Sequence, residues 1–434
     1  MFHQRFIVSL FALSIVLPHA HANWHDYRGP DGLGHTTAKN LPLKWSESEN
    51  VTWKVPVPGQ GFSTPLINGS HIWVTTAIVT PAKKQDIQER LKANTGSQPL
   101  ILAEYVELRA ICFDLKSGRQ LHDVKLLGQK TPQWIHEHNS YASPSPVMAD
   151  GMLYGHFGSY GTACLDTQTQ KVLWTNQDIQ VMHENGPGSS PVLVGDNLIF
   201  HCDGSDKQFV VALNKRTGRI AWKVDRSGRM NSNPQLKKAY ATPIVVELKG
   251  KKVVVSPGAD WLYGYDPASG KELWRVAYGL LGFSNVARPV YGDGMIYTST
   301  GFMKSEMLAV SLDGKPSVKW RHKRSVPKVP SPILVGDQLY MISDKGGILT
   351  CLDAKTGSVH FSKRMGGSFY ASPLSANGRV YLFGREGQTI VIKPGTELKV
   401  LAENKLDGGH MASAATIDGA LILRTDKALY RIGK

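Results

Sequence analysis

The chain has 434 residues, of which 41% are hydrophobic, 43 are Gly and 24 are Pro, the balance of a turn-rich all-β protein with ample material for stacked sheets. Beyond residue 22 no run is long and apolar enough to cross a bilayer as a helix, so no membrane span is expected in that part of the chain. The net charge of +15 fits attraction to polyanions such as anionic lipid head groups, cell-wall polymers or acidic polysaccharide, and equally fits plain solubility.

Residues 1–22 place His3 and Arg5 before the apolar run FIVSLFALSIVL and end in Ala20-His21-Ala22, the layout of a secretory signal peptide cut after Ala22. An uncleaved anchor helix is the alternative, disfavoured by the shortness of the apolar run. No Cys follows that run, so a lipid anchor of the bacterial type is not expected. The protein is therefore expected to be soluble and periplasmic or secreted, where nucleic acid is not a partner. Residues 23–44 begin NWHDYRGPDGLG and read as an ordered N-terminal arm packed over one face.

From residue 45 to 434 the chain reads as one repeating unit, seen most clearly in PVLVGDNLIFHCDGSDKQFVVALNKRTGRIAW, Pro191 to Trp222. Short runs rich in Val, Ile, Leu and Phe, each too short for a helix, alternate with GD, DGSD and NKRTG turns, which indicates four antiparallel strands. Copies begin at Pro65, Pro146, Pro191, Pro243, Pro289, Pro332, Pro373 and Ala414, with a period of about 45 residues, the length of a propeller blade. The last copy, 412–432, contains only three strand-like runs, while Trp53-Lys54-Val55 copies the end of a blade whose first strands are missing. The expected fold is an all-β, eight-bladed β-propeller of four-stranded antiparallel sheets, its ring closed by an N-terminal strand that completes the last blade.

Blade one carries an insertion at about 78–105, where Ile87 and Leu91 suggest a short amphipathic helix that caps one mouth of the channel or decorates its rim. Cys112, Cys164 and Cys351 occupy the same slot of three different blades and Cys202 lies on another strand. Equivalent slots of a ring are too far apart to bridge, so free thiols are favoured over a disulfide. In ALNKRTGRIAW and YDPASGKELW an Asp or Asn opens a tight turn, Gly supplies a positive φ, and the Trp that follows is an interblade plug. Trp53, Trp174, Trp222, Trp274 and Trp320 are expected to pack on the neighbouring sheet, each indole N–H with a partner.

This [A/L]-x-[D/N]-x-x-[T/S]-G-x-x-x-W pattern resembles the tryptophan-docking repeat of eight-bladed quinoprotein dehydrogenases. It is equally similar to the non-enzymatic propeller lipoprotein of the outer-membrane β-barrel assembly machine. The likeness covers about residues 45–432, and Trp24-His25-Asp26-Tyr27-Arg28-Gly29-Pro30 resembles the W-x-x-[Y/W]-R-G-P start of exported quinoprotein-like propellers. The first resemblance implies pyrroloquinoline quinone beside a Ca²⁺ held by Glu, Asn and Asp, often with an adjacent Cys pair. The sequence has no Cys-Cys pair and no C-x-x-C-H haem motif. The second implies a scaffold that presents loops to other envelope proteins.

In a propeller the segments that lead into the innermost strands gather round one mouth of the channel, the first place to look for ligand chemistry. Here they contribute His136, His138 and Asn139 before blade two and His183, Glu184 and Asn185 before blade three. Arg229, Arg288, Lys328, Tyr370 and His410 follow before blades four to eight, completing a polar, cationic ring. The four histidines with Glu137 and Glu184 are of types that suit Zn, Cu or Ni, but loop groups that bond water and one another are the favoured reading. The functional expectation is a monomeric binding or scaffolding module of the cell envelope, without a cofactor, whose mouth takes an anionic ligand or an envelope protein's acidic side chain. The alternative is a quinone-dependent alcohol or sugar dehydrogenase with Ca²⁺.

Overall fold

The computed structural model describes residues 23–434 except 93, 95–97 and 280–281. The expected signal peptide therefore lies outside the described residues. Eight antiparallel sheets stand round one axis. Blade two shows the unit: Val147–Ala149 innermost, then Met152–His156, Thr162–Asp166 and Val172–Asn176 outermost. Five further blades repeat it at 192–225, 244–277, 290–322, 333–364 and 374–405. The middle strands are buried along most of their length, and the outer ones alternate between half-buried and exposed residues, as sheets stacked face to face require.

The ring closes at blade eight. Ala415–Ile417, Ala420–Arg424 and Leu429–Gly433 supply three strands, and Val51–Val55 pairs antiparallel with the last, Lys54 opposite Tyr430. Leu429–Gly433 is thereby paired on both sides at the seam.

Four of the expected Trp plugs share one geometry. Trp53, Trp174, Trp222 and Trp320 donate from Nε1 to the carbonyls of Leu115, Lys215, Pro267 and Ala354, at 3.2, 3.0, 3.1 and 3.0 Å. Each acceptor follows the Asp or Asn of the next blade's turn, whose glycine lies flat on the indole. At Gly218 the φ of +70° and a would-be Cβ 2.4 Å from Trp174 both demand glycine. Between blades one and two the lock is different: His122 stands in the Trp slot and stacks on Trp73, and Gln170 takes the left-handed position at φ +57°. The four cysteines are free and buried.

The first part of the N-terminal arm enters the channel, and residues 39–43 then lie across the turns of blades eight and seven, Lys39 bonded to Asp418 and Leu41 to Arg379. Asn23–Trp24 adds a strand to the inner edge of blade one, and His35–Thr36 adds one, in parallel, to blade seven. Between them the arm turns with Tyr27 at its tip: Tyr27 Oη and Ser372 Oγ are 3.1 Å apart, and Thr64 donates to the Tyr27 carbonyl. Buried Arg28 donates from Nη1 and Nη2 to the carbonyls of Pro373, Pro332 and Leu33, which draws the segment inward, while its Nε has no partner; burial brings its pKa down to about 10.

Candidate binding site at the channel mouth

In six of the eight blades the innermost strand is preceded by Ser-Pro or Thr-Pro, at 64–65, 145–146, 190–191, 242–243, 331–332 and 372–373; blade five has Arg288-Pro289 and blade eight Ser413-Ala414. These hydroxyls form a belt round the axis. Backbone N–H groups of Thr64, Ser145 and Ser190 donate to the hydroxyls of Ser145, Ser190 and Thr242, and those of Arg288, Ser331 and Ser372 to Ser331, Ser372 and Ser413, all at 2.9–3.0 Å. Proline cannot donate, so the residue before it carries the bond from blade to blade. Arg288 alone among these positions before proline has no hydroxyl; its guanidinium runs along the axis to Asp26 (2.5 Å) and the Pro243 carbonyl (3.2 Å), over the Tyr27 ring.

Above this belt opens a cup of about 590 Å³, lined by segments from all eight blades and floored in part by Tyr27. The volume lies within the range of small-molecule and peptide-anchor pockets. One wall, from blade five, is apolar: Phe283, Val286, Phe302 and Met303. Phe302 and Met303 are 56% and 64% exposed at the rim. Lys238 and Lys328 flank that wall from blades four and six, Lys328 with its ammonium 5.0 Å above the Phe302 ring. Burial lowers the pKa of Lys238 to about 8, against the raising field of Glu184. Its ammonium is bonded to Gln235.

The opposite wall is polar. Loops between second and third strands emerge on the same face as the lead-in segments, so the blade-one insertion reaches the cup. Lys84–Leu91 forms its helix, and Leu100–Ile101 pairs with Ile135–His136, which sets Gln98 and His136 side by side in the lining. The His136 and His138 rings lie 5.3 Å apart, the His138 N–H donating to His136 Nδ1 at 3.0 Å; burial holds the His136 imidazole below its usual pKa. Asn139 is fully engaged, donating to the carbonyls of Asn185 and Pro187 and accepting from Ser140 and Ser143. Gln98 Nε2 and Asn185 Oδ1 are buried without a hydrogen-bond partner. Among the described residues that line the cup there is no Asp or Glu.

Of the sequence-derived ring, His136, His138, Asn139, Lys328 and Tyr370 thus meet in one place. His183, Glu184 and His410 are buried behind the wall: His183 Nε2 accepts from the Ser159 N–H at 2.9 Å, and Glu184 accepts from Ser205 at 2.9 Å. Arg229 is exposed away from the cup, its carbonyl accepting from Trp261, and Arg288 is spent on the arm. Sequence reasoning missed Lys238, Gln98, Phe302 and Tyr27. The loop between the second and third strands of blade five, which carries Phe302, was open to inspection by the same face argument. Among the described residues no group of three or more His, Cys, Asp or Glu could hold a metal ion.

The buried histidines make stability depend on pH. Burial depresses His183 and His410 to about 4 and His156 to about 3. Unfolded histidines titrate near 6.5, so between pH 6.5 and 4 the unfolded chain binds more protons and folding loses free energy as pH falls. The contribution is complete above pH 6.5, and the loss is on the order of 1 kcal/mol per pH unit for each histidine. Urea unfolding at pH 7, 6 and 5 should show this slope, and His410→Gln should reduce it.

An eight-bladed ring locked by Trp plugs, with a cup at one mouth of its channel, defines a propeller of the docking-repeat class. The chain belongs to the family described as outer membrane protein assembly factor BamB, whose model matches residues 36–224, 206–349 and 332–398. A search of curated proteins finds no match. Among solved structures it is similar to BamB from Moraxella catarrhalis at 11% identity and a TM-score of 0.57, covering 88% of this chain and 99% of that one. A europium-containing methanol dehydrogenase aligns at 11% identity and a TM-score of 0.54, covering 94% and 90%. The computationally designed Ika8 protein aligns at 12% and 0.52, covering 77% and 98%. At these identities the structural likenesses speak for the fold.

Proposed function

We propose that this propeller is a binding and scaffolding module of the cell envelope, exported by residues 1–22, whose cup receives an anionic group of a partner protein. Membership of a family named for an outer membrane assembly factor supports the envelope setting, and no helix among the described residues is long and apolar enough to cross a membrane. The observation that carries the reading is the cup's lining: Lys238 and Lys328 at its walls, and no carboxylate among the described residues there. An anion there gains attraction from both ammonium groups, and the nearest carboxylates, Glu184 behind the wall near Lys238 and Glu137 beside His138, are not part of the lining.

The same lining does not fit a quinone-dependent dehydrogenase. Ca²⁺ takes six to eight oxygen ligands, carboxylates foremost, and proton abstraction from an alcohol needs a base within hydrogen-bond reach. Among the described residues the cup's lining offers neither an Asp nor a Glu. Reconstitution with pyrroloquinoline quinone and Ca²⁺ should give no cofactor absorption band and no dye reduction with alcohols or sugars. A photo-cross-linking residue at Met303 should capture an envelope protein in producing cells, while one at exposed Lys251 should not. Equal capture at both positions, or a quinone band, would count against the reading.

A further inference from the structure

The geometry points to the occupant of the cup: an extended peptide segment of the partner in which an aromatic or aliphatic side chain is flanked by carboxylates. The assignment rests on the binding-module reading and deepens it. Three features of the lining converge. The blade-five wall is apolar and runs out of the cup to Phe302 and Met303, 56% and 64% exposed, so the contact surface continues past what a molecule confined to the cavity would cover. Met beside Phe at such a rim adapts to side chains of different shape. Lys238 and Lys328 stand on either side of that wall, where carboxylates preceding and following an inserted apolar side chain would lie. On the polar wall Gln98 Nε2 and Asn185 Oδ1, both closed off from solvent, are an unpartnered donor and acceptor that a shift of the wall would present to a peptide's C=O and N–H. A peptide supplies all three partners along one backbone.

The test is fluorescence anisotropy at 150 mM salt with three fluorescein-labelled octapeptides. One carries Phe between Asp and Glu residues, one replaces the acids by Lys, and one replaces Phe by Ser. The acidic Phe peptide should saturate with one site per chain, and each control should bind about tenfold or more weakly. Lys328→Glu and Phe302→Ser, both on loops, should each raise Kd about tenfold or more, with melting temperatures checked alongside. Lys251→Glu, remote from the cup, should leave Kd unchanged. Equal loss with Lys251→Glu would mean general attraction to a chain of net charge +15 and would overturn the assignment. Tight binding of anilinonaphthalene sulfonate, lost in Lys328→Glu, with no peptide binding would overturn it in favour of a small-molecule site. If the cross-link at position 303 persists in Lys328→Glu and Phe302→Ser, the peptide assignment falls and the scaffolding role stands. If wild type captures nothing, the role falls, and the anisotropy titration alone decides the chemistry of the cup.

Discussion

Deletion of residues 45–57 is expected to abolish cooperative unfolding altogether. The segment supplies the fourth strand of blade eight, the Trp53 plug into blade one, and Trp45, whose backbone N–H donates to Asn404 Oδ1 at 2.8 Å while its ring stacks on Tyr381. Removing it would leave Leu429–Gly433 with an open edge and strip the neighbouring face of blade one, so the first and last blades lose their partners together. Trp53→Ala, which keeps the strand and removes only the ring, should cost less, about 3–5 kcal/mol. Near-ultraviolet circular dichroism and a thermal melt distinguish the two. A truncated protein that melts at the wild-type temperature would show that the seam does not hold the ring.

The second large effect is expected between blades three and four. Asp203 and Arg226 are fully buried and bonded through both carboxylate oxygens, the shortest contact 2.8 Å. Arg226 also donates to Ser256 and Tyr265 and lies 4.7 Å from the Tyr263 ring centroid. Burial alone pushes the Asp203 carboxyl up in pKa, and Arg226 opposes it. Asp203→Ala leaves a guanidinium without its counter-charge and should destabilise by about 3–5 kcal/mol, whereas replacing both residues by apolar ones should cost much less. Urea denaturation of the two singles and the double tests this. Equal losses in the single and the double would mean that charge pairing is not the source of the effect.

The ring was legible in the sequence because its parts are local. Turn, glycine and Trp stand at fixed spacing within each repeat, and the missing strand at one end matched the surplus strand at the other. The belt of hydroxyls was equally legible in the recurring Ser-Pro and Thr-Pro pairs, once proline's missing donor is taken into account. The cup was less so. Whether a lead-in residue faces the mouth depends on the neighbouring blade: His183 turns inward because the Ser159 N–H waits for it, and Asn139 is consumed by the lead-in of blade three. Lys238 and Lys328 differ from Arg229 only in where their segments fold, which no spacing reveals. The arm's path could not be read either, since Arg28 finds its carbonyls only after blades six and seven have assembled.

Arg288 has a consequence for assembly. Eight near-identical blades offer the arm eight near-equivalent azimuths at which to settle, and the hydroxyl belt by itself would scarcely tell them apart. One guanidinium in place of a hydroxyl marks a single azimuth, where Asp26 finds its counter-charge. The molecule thereby carries its own index mark, and a ring that is almost symmetric in shape has only one way to be plugged.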